Sequence, residues 1–118
     1  MERKKVSGKT GDTHHATQIS ASTFPALHQF LRGYLHQDWQ EEHDSPAEAA
    51  RQFCHDASPE ERQEVALQWA AFRERTKNLS LPALSGVLSH DLGAEWNPRA
   101  IDQVDAISAV FRPFARQM

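Results

Sequence analysis

The chain has 118 residues, of which 39% are hydrophobic and 25% charged, and its formal net charge is −3. These values are typical of one globular domain. No stretch approaches the ~20 consecutive apolar residues that a membrane-spanning helix needs, so we expect no membrane contact. We also expect no secretory leader, because the first residues lack an apolar core. The only cysteine, Cys54, excludes an internal disulfide and favours a reducing cytoplasmic location, with the thiol buried as a structural group.

Residues 1–22 consist mainly of Lys, Ser, Thr, Gly and His and contain very few apolar side chains. Such a segment buries too little surface to offset the entropy lost on ordering. We therefore predict a mobile polar tail at 1–22 and a folded domain at 23–118.

Apolar side chains recur at steps of three and four residues between Phe24 and Trp39, which predicts a first helix. Thr23 is its expected N-cap. The run Ser45-Pro46-Ala47-Glu48 has the pattern of a capping box, in which the Glu side chain returns to the backbone of the Ser. It predicts the start of a short second helix.

The remaining helices have similar start and stop signals. Ser58-Pro59-Glu60-Glu61 repeats the capping pattern before a long third helix, and Ser80-Leu81-Pro82 opens a fourth that ends at Gly93. Asn97-Pro98 is the expected cap of a fifth helix with an apolar stripe. No alternating strand pattern interrupts the chain. We predict an all-α fold, a compact bundle of about five helices.

Histidine is the first residue type to test for chemistry, since the chain contains seven. None of the spacings typical of zinc ligands occurs, so we expect no metal and no cofactor. The run His36-Gln37-Asp38 has two members of a catalytic triad, but no nucleophile stands in a recognisable turn. We expect no enzymatic activity, and a small hydrolase that uses His36 is the least favoured alternative.

Acidic residues are concentrated in residues 38–64, where nine stand against two arginines. Residues 24–118 have a net charge of −5, which argues against direct nucleic-acid binding. Helix N-termini stabilise acids and account for Glu48, Glu60 and Glu61. They do not account for four others, which follow the first helix: Asp38, Glu41, Glu42 and Asp44. Partner binding and a plain solvated loop are equally open explanations for these four.

The run Phe30-Leu31-Arg32-Gly33-Tyr34-Leu35-His36-Gln37-Asp38-Trp39, followed by Ser45-Pro46-Ala47-Glu48-Ala49-Ala50, resembles immunity proteins of contact-dependent growth inhibition systems, the CdiI type. The resemblance covers about residues 24–92. It implies a cytoplasmic protein that binds and neutralises the C-terminal toxin domain of a CdiA-type effector delivered by a neighbouring cell. Many such toxins are nucleases, whose phosphate-binding surfaces are basic. An acidic block would then complement the toxin in charge.

Within this motif we expect mainly structural roles for Gly33, Tyr34, His36, Gln37, Asp38 and Trp39. Tyr34 and Trp39 are expected as inner-face anchors whose polar tips need partners. Gly33 costs about 1 kcal/mol relative to Ala in a helix, which predicts a close helix contact. His36 and Asp38 are expected to bond within the fold and hold the acidic loop, with direct toxin contact as the alternative.

The expected toxin contacts are the acidic side chains of the block, namely Asp38, Glu41, Glu42, Asp44, Glu48, Glu60, Glu61 and Glu64. The free protein is expected to be a monomer or a weak dimer. The main rival hypothesis is a helical adaptor or antitoxin-like regulator that dimerises through exposed apolar surface.

Overall fold

The computed structural model describes residues 19–115, and within this range the chain forms α-helices and one π-helical segment but no β-strand. The predicted all-α fold is therefore confirmed. The helices are α1 (Pro25–Tyr34), α2 (Trp39–Glu42), α3 (Pro46–Asp56), α4 (Pro59–Thr76), α5 (Leu81–Gly86), which continues as the π-helical segment Val87–Asp91, and α6 (Ile101–Ala115). No helix in the described range is long and apolar enough to cross a membrane.

The segment before α1 already belongs to the packed structure. Ile19 is only 2% exposed and lies in the hydrophobic core, although the predicted polar tail includes it. The predicted cap at Thr23 is wrong: the Thr23 hydroxyl accepts the Ser20 N–H at 2.9 Å, one turn before the helix. Phe24 is the N-cap residue and makes no side-chain capping bond. The rest of the predicted tail, residues 1–18, lies outside the described residues.

The first predicted helix is divided into two. It ends at Tyr34, and Trp39 begins the separate helix α2. The Leu35 carbonyl, which would accept the Trp39 N–H in a continuous helix, instead accepts the Glu95 N–H at 2.9 Å. The Trp39 N–H turns to the His36 carbonyl, also at 2.9 Å. A long-range backbone bond thus replaces a local one.

The predicted serine caps form, with one difference. Ser58 and Glu61 make the full capping box, with bonds of 2.9 and 3.2 Å. Ser45 accepts the Glu48 N–H at 3.1 Å, but the Glu48 carboxylate bonds to Arg51 at 2.6 Å rather than returning to the cap. The capping box at Ser45 is therefore only half formed, because Arg51 competes for the Glu48 carboxylate.

The C-terminal part of the chain departs from the prediction at one helix end. Gly93 has φ +77°, as expected for a left-handed residue after a helix. The predicted cap at Asn97-Pro98 is wrong, since α6 begins only at Ile101. The Arg99 N–H there donates to the Gln103 side-chain oxygen at 2.9 Å. A side chain inside the helix thus supplies the capping oxygen.

The core lies where α1, α3, α4 and α6 meet. Phe30, Trp69 and Phe111 are each 1% exposed and form its centre. The Phe30 and Phe111 rings meet edge to face at 5.4 Å, and Trp69 and Phe111 lie 6.3 Å apart. Cys54 borders this core at 6% exposure, and burial raises the pKa of its thiol to about 11. The predicted burial of this thiol is confirmed.

The predicted close helix contact at Gly33 is wrong. A Cβ at Gly33 would meet no atom within 4 Å, and the residue is exposed. Gly93 is different, because a Cβ there would lie 3.2 Å from Cε1 of the His28 ring, whose Nδ1 stands 2.7 Å from the Leu92 carbonyl. The two glycines therefore form a matched pair for testing the backbone.

We expect Gly93→Ala to lower the free energy of unfolding by about 1–2 kcal/mol, because an L side chain disfavours positive φ and His28 must move. Gly33→Ala should raise it by about 0.5–1 kcal/mol, because it replaces an exposed helical glycine. Urea unfolding followed by circular dichroism measures both changes. Equal effects of the two substitutions would contradict the local geometry described for Gly93.

Candidate protein-binding surface

The acidic block forms two groups in the structure. The first, here called the loop acids, lies on and around α2 and comprises Asp38, Glu41, Glu42 and Asp44. The second, here called the helix acids, lies at the corner where α3 ends and α4 begins, and comprises Asp56, Glu60, Glu61 and Glu64. All eight side chains are exposed. They are therefore available to a partner, subject to the contacts they make within the fold.

Tyr34, the last residue of α1, connects the two groups. Its ring stacks on His43, which precedes Asp44, with centroids 6.2 Å apart. On the other side it meets Phe53 edge to face at 5.5 Å. Its hydroxyl donates a hydrogen bond of 2.9 Å to Asp56. One aromatic side chain thus contacts the loop that carries the first group and a carboxylate of the second.

The Tyr34–Asp56 pair has a defined protonation state. Burial and then the hydrogen bond to Asp56 raise the pKa of Tyr34 to about 12. The same hydrogen bond, together with one of 2.9 Å from the Gln52 amide, lowers the pKa of Asp56. At neutral pH the tyrosine is therefore a neutral donor and Asp56 a carboxylate.

His36 organises the loop acids. Its Nδ1 accepts the Asp38 N–H at 3.1 Å, which leaves the proton on Nε2, where it faces Glu42 at 3.2 Å. The imidazole thereby joins the start of the turn to α2. Gln37 and the Asp38 side chain are exposed, whereas Trp39 is buried at 9% exposure. The structure thus places His36 and Trp39 inside the turn and the acids outside it.

The two arginines of the acidic block have different kinds of partner. Arg51 pairs with Glu48, and this hydrogen bond lowers the pKa of the Glu48 carboxyl group. Arg62 turns away from the helix acids: it donates to the Cys54 carbonyl at 3.0 Å, and its guanidinium lies 4.9 Å from the centre of the Phe114 ring. Within residues 19–115, neither group of acids forms an ion pair with a lysine or arginine. Their ion-pairing partners in this range are histidines, since His36 and His43 lie 3.2 and 3.9 Å from Glu42 and His55 lies 3.4 Å from Asp56.

Asp56 is the acid of this surface that the expected contact list omitted, and Tyr34 was expected only as a core anchor. A signal for Asp56 exists, because it stands in the last turn of α3, where the helix dipole disfavours an acid. The Tyr34–His43 contact has no such signal. It depends on the break between α1 and α2, which a long-range bond creates.

The described part of the chain offers little for metal or nucleophile chemistry. No group of three or more His, Cys, Asp or Glu side chains between residues 19 and 115 is placed to hold a metal ion. Both ring nitrogens of His36 face groups of its own turn. Among these residues, no Ser or Cys side chain is hydrogen-bonded to His36, which a triad would require.

A small helical domain whose surface acids lack a lysine or arginine partner has features that suit binding of a basic protein. The family model described as CdiI immunity protein matches residues 23–103, and the chain belongs to this family. It is thus an immunity protein of contact-dependent growth inhibition, a class that neutralises toxins. The match begins at the predicted domain boundary and extends past residue 92 into α6. The searches of curated proteins and of solved structures found no match to the chain.

Tyr34 is the only tyrosine of the chain, so its ionisation can be followed by ultraviolet absorbance. We expect a midpoint near pH 12 in the folded protein, because burial and Asp56 oppose formation of the phenolate. The chain unfolded in guanidinium should titrate near the ordinary value of about 10. Since the folded pKa is the higher one, this group's contribution to stability is complete below pH 10 and is lost as pH rises towards 12.

Asp56→Asn should lower the folded midpoint only part of the way, because burial, the largest cause, remains. Asp105→Asn removes an exposed carboxylate from α6 and is the matched control, with no expected shift. A midpoint near 10 in the native folded protein would show that Tyr34 is neither buried nor bonded as described.

Proposed function

We propose that this immunity protein acts in the cytoplasm and binds the toxin domain of its cognate CdiA-type effector through the acidic surface formed by the loop acids and the helix acids. The observation that carries this proposal is the absence of ion pairing to lysine or arginine across both groups within residues 19–115. A single protein that must fold alone gains little by leaving so many like charges side by side. A basic partner would supply the missing counter-charges.

The chemistry of the proposed partner follows from the sign of the charge. A nuclease toxin must hold phosphate groups, so its substrate-binding surface is basic. A negatively charged protein attracts such a surface from a distance and competes with the substrate there. Charge complementarity raises the association rate and favours the cognate toxin over others. Neutralisation then needs binding alone and no catalytic step by the immunity protein.

The proposed contacts are not equal. Asp38, Glu41 and Asp44 make no side-chain hydrogen bond or ion pair within residues 19–115, and neither do Glu60 and Glu64.

Glu42 and Glu61 also stabilise the fold, through His36 and the Ser58 cap. Glu48 remains in the proposed set, but Arg51 already compensates its charge. We therefore place the largest electrostatic contribution on the unpaired acids.

The rival hypotheses gain no specific support. An adaptor that dimerises through apolar surface needs a contiguous patch, whereas the large exposed hydrophobic residues of the described range are Leu67 and Ile101, on different helices. A hydrolase would need a nucleophile beside His36, and its ring instead bonds within the turn.

The test is binding of the purified immunity protein to the toxin domain encoded beside its gene, measured kinetically at low and high salt. We expect tight binding, on the order of nanomolar, that weakens as salt rises. The triple variant Glu41→Lys, Asp44→Lys and Glu60→Lys should associate ~10- to 100-fold more slowly and with a flatter salt dependence. These three acids have no side-chain partner in the described range, so the fold should persist.

The control variant reverses three exposed acids outside the acidic block, Glu74, Asp91 and Asp105, and thus changes the net charge by the same amount. It also removes the exposed Glu74–Lys77 ion pair, which contributes little to stability. It should associate almost as fast as the native protein. If both triple variants slow association equally, net charge alone matters and the proposed surface is wrong. If the native protein does not bind the toxin domain, the neutralisation mechanism itself is wrong.

A further inference from the structure

A groove opens between α1, α3 and α4, beside the helix acids. Its volume is about 340 Å³, near the lower end of the ~300–1,000 Å³ range of ligand pockets. The aromatic side chains of its lining are Phe30, Tyr34 and Phe53, and the remaining lining residues are Ala26, Gln29, Glu61, Glu64 and Val65. A groove of this size suits one inserted side chain better than a whole segment of chain.

The aromatic side of the groove is rigid. Phe30 is 1% exposed and forms the floor, and it meets Phe53 at 5.1 Å and Tyr34 at 5.9 Å between ring centres. The Tyr34 ring stacks on His43, and its hydroxyl is held by the hydrogen bond to Asp56. Phe53 and Tyr34 line the groove and are only partly buried, so part of each ring is exposed to it. Such ring faces attract a planar cation.

The acidic side of the groove lacks a cation of its own. Glu64 is exposed at the rim and makes no hydrogen bond or ion pair within the described residues. Glu61 accepts the Ser58 N–H through one oxygen, Oε1, at 2.9 Å. The nearest arginine in sequence, Arg62, lies on Phe114 instead. The groove therefore combines aromatic rings with carboxylates that have no positive partner.

We infer that this groove receives one arginine side chain of the toxin domain, stacked on the Tyr34 and Phe53 rings and paired with Glu64 and Glu61. The inference rests on the proposed function, because it names the group that the acidic surface would hold. Arginine fits both parts of the groove: its guanidinium stacks on aromatic rings and forms paired hydrogen bonds with carboxylates. An aliphatic side chain would leave the two carboxylates without a partner. A buried anchor of this kind determines the dissociation rate, whereas the surrounding acids determine the association rate.

The chain offers a matched pair for the test. Glu60 and Glu64 are both exposed and lie one turn apart on α4, but only Glu64 lines the groove. We expect Glu64→Gln to raise the dissociation rate of the complex with the cognate toxin domain by ~10-fold or more. Glu60→Gln removes the same charge from the acidic surface but not from the groove, so it should slow association about as much as Glu64→Gln while changing the dissociation rate less than ~2-fold. Urea unfolding of both variants, expected to match the native protein, excludes a folding defect.

Substituting the arginines of the toxin domain one at a time by alanine then identifies the inserted side chain. One toxin variant should dissociate from the native immunity protein ~10-fold faster than the native toxin does. From the Glu64→Gln protein, the same toxin variant and the native toxin should dissociate at the same rate, because the pair with Glu64 is already lost. Glu61→Gln is a second test, because it should also raise the dissociation rate. Its fold should persist, since glutamine still accepts the Ser58 N–H and keeps the cap.

The possible outcomes distinguish failure of the arginine site alone from failure of the proposed function. Tight, salt-sensitive binding in which Glu60→Gln and Glu64→Gln change the dissociation rate equally supports the acidic surface but overturns the arginine site. Tight binding in which no toxin arginine couples to Glu64 also overturns it. No binding of the native protein at all contradicts the proposed function, and the arginine site with it.

Discussion

The hydrogen bond from the Glu95 N–H to the Leu35 carbonyl determines where α1 ends, and the acidic surface depends on this end. Because the carbonyl is occupied, the chain turns after Leu35, and His36 closes the turn through the Asp38 backbone and Glu42. The acids that follow are thereby held on a separate short helix outside the core. A continuous helix would have carried Trp39 onward on the same axis and separated His43 from Tyr34.

The contacts of the two arginines determine which surface acids have an arginine as counter-ion. Arg51 compensates Glu48, and Arg62 is used inside the fold, where it satisfies the last turn of α3 and covers Phe114. A carboxylate without a counter-ion is well solvated at a surface, so this arrangement costs the isolated protein little. Under the proposed function, a basic partner would replace that water and make the arrangement favourable, so the charge would contribute more to recognition than to folding.

Local signals predicted most of the fold, because serine caps, prolines and apolar spacing act within a few residues. The Ser58 capping box and the left-handed Gly93 follow directly from such signals. The errors occur where another group competes for the expected bond. A distant one, Glu95, divides the first helix, whereas close neighbours account for the other two: Arg51 takes the Glu48 carboxylate, and Gln103 replaces the cap expected at Asn97. The acidic residues could be found from the sequence, but the aromatic groove beside them could not, since its walls come from three helices.

Several residues of the proposed surface also stabilise the fold, and this limits how the surface can be probed. Glu61 caps α4 through one oxygen and lines the groove, while Tyr34 packs on Phe30 and donates to Asp56. Truncating Glu61 would remove the cap as well as the charge, and truncating Tyr34 would remove packing as well as the bond to Asp56, so weaker binding would have two explanations. Amide substitutions keep the shape and the accepting oxygen and remove only the charge. Charge must therefore be varied separately from shape before any loss of binding is assigned to recognition.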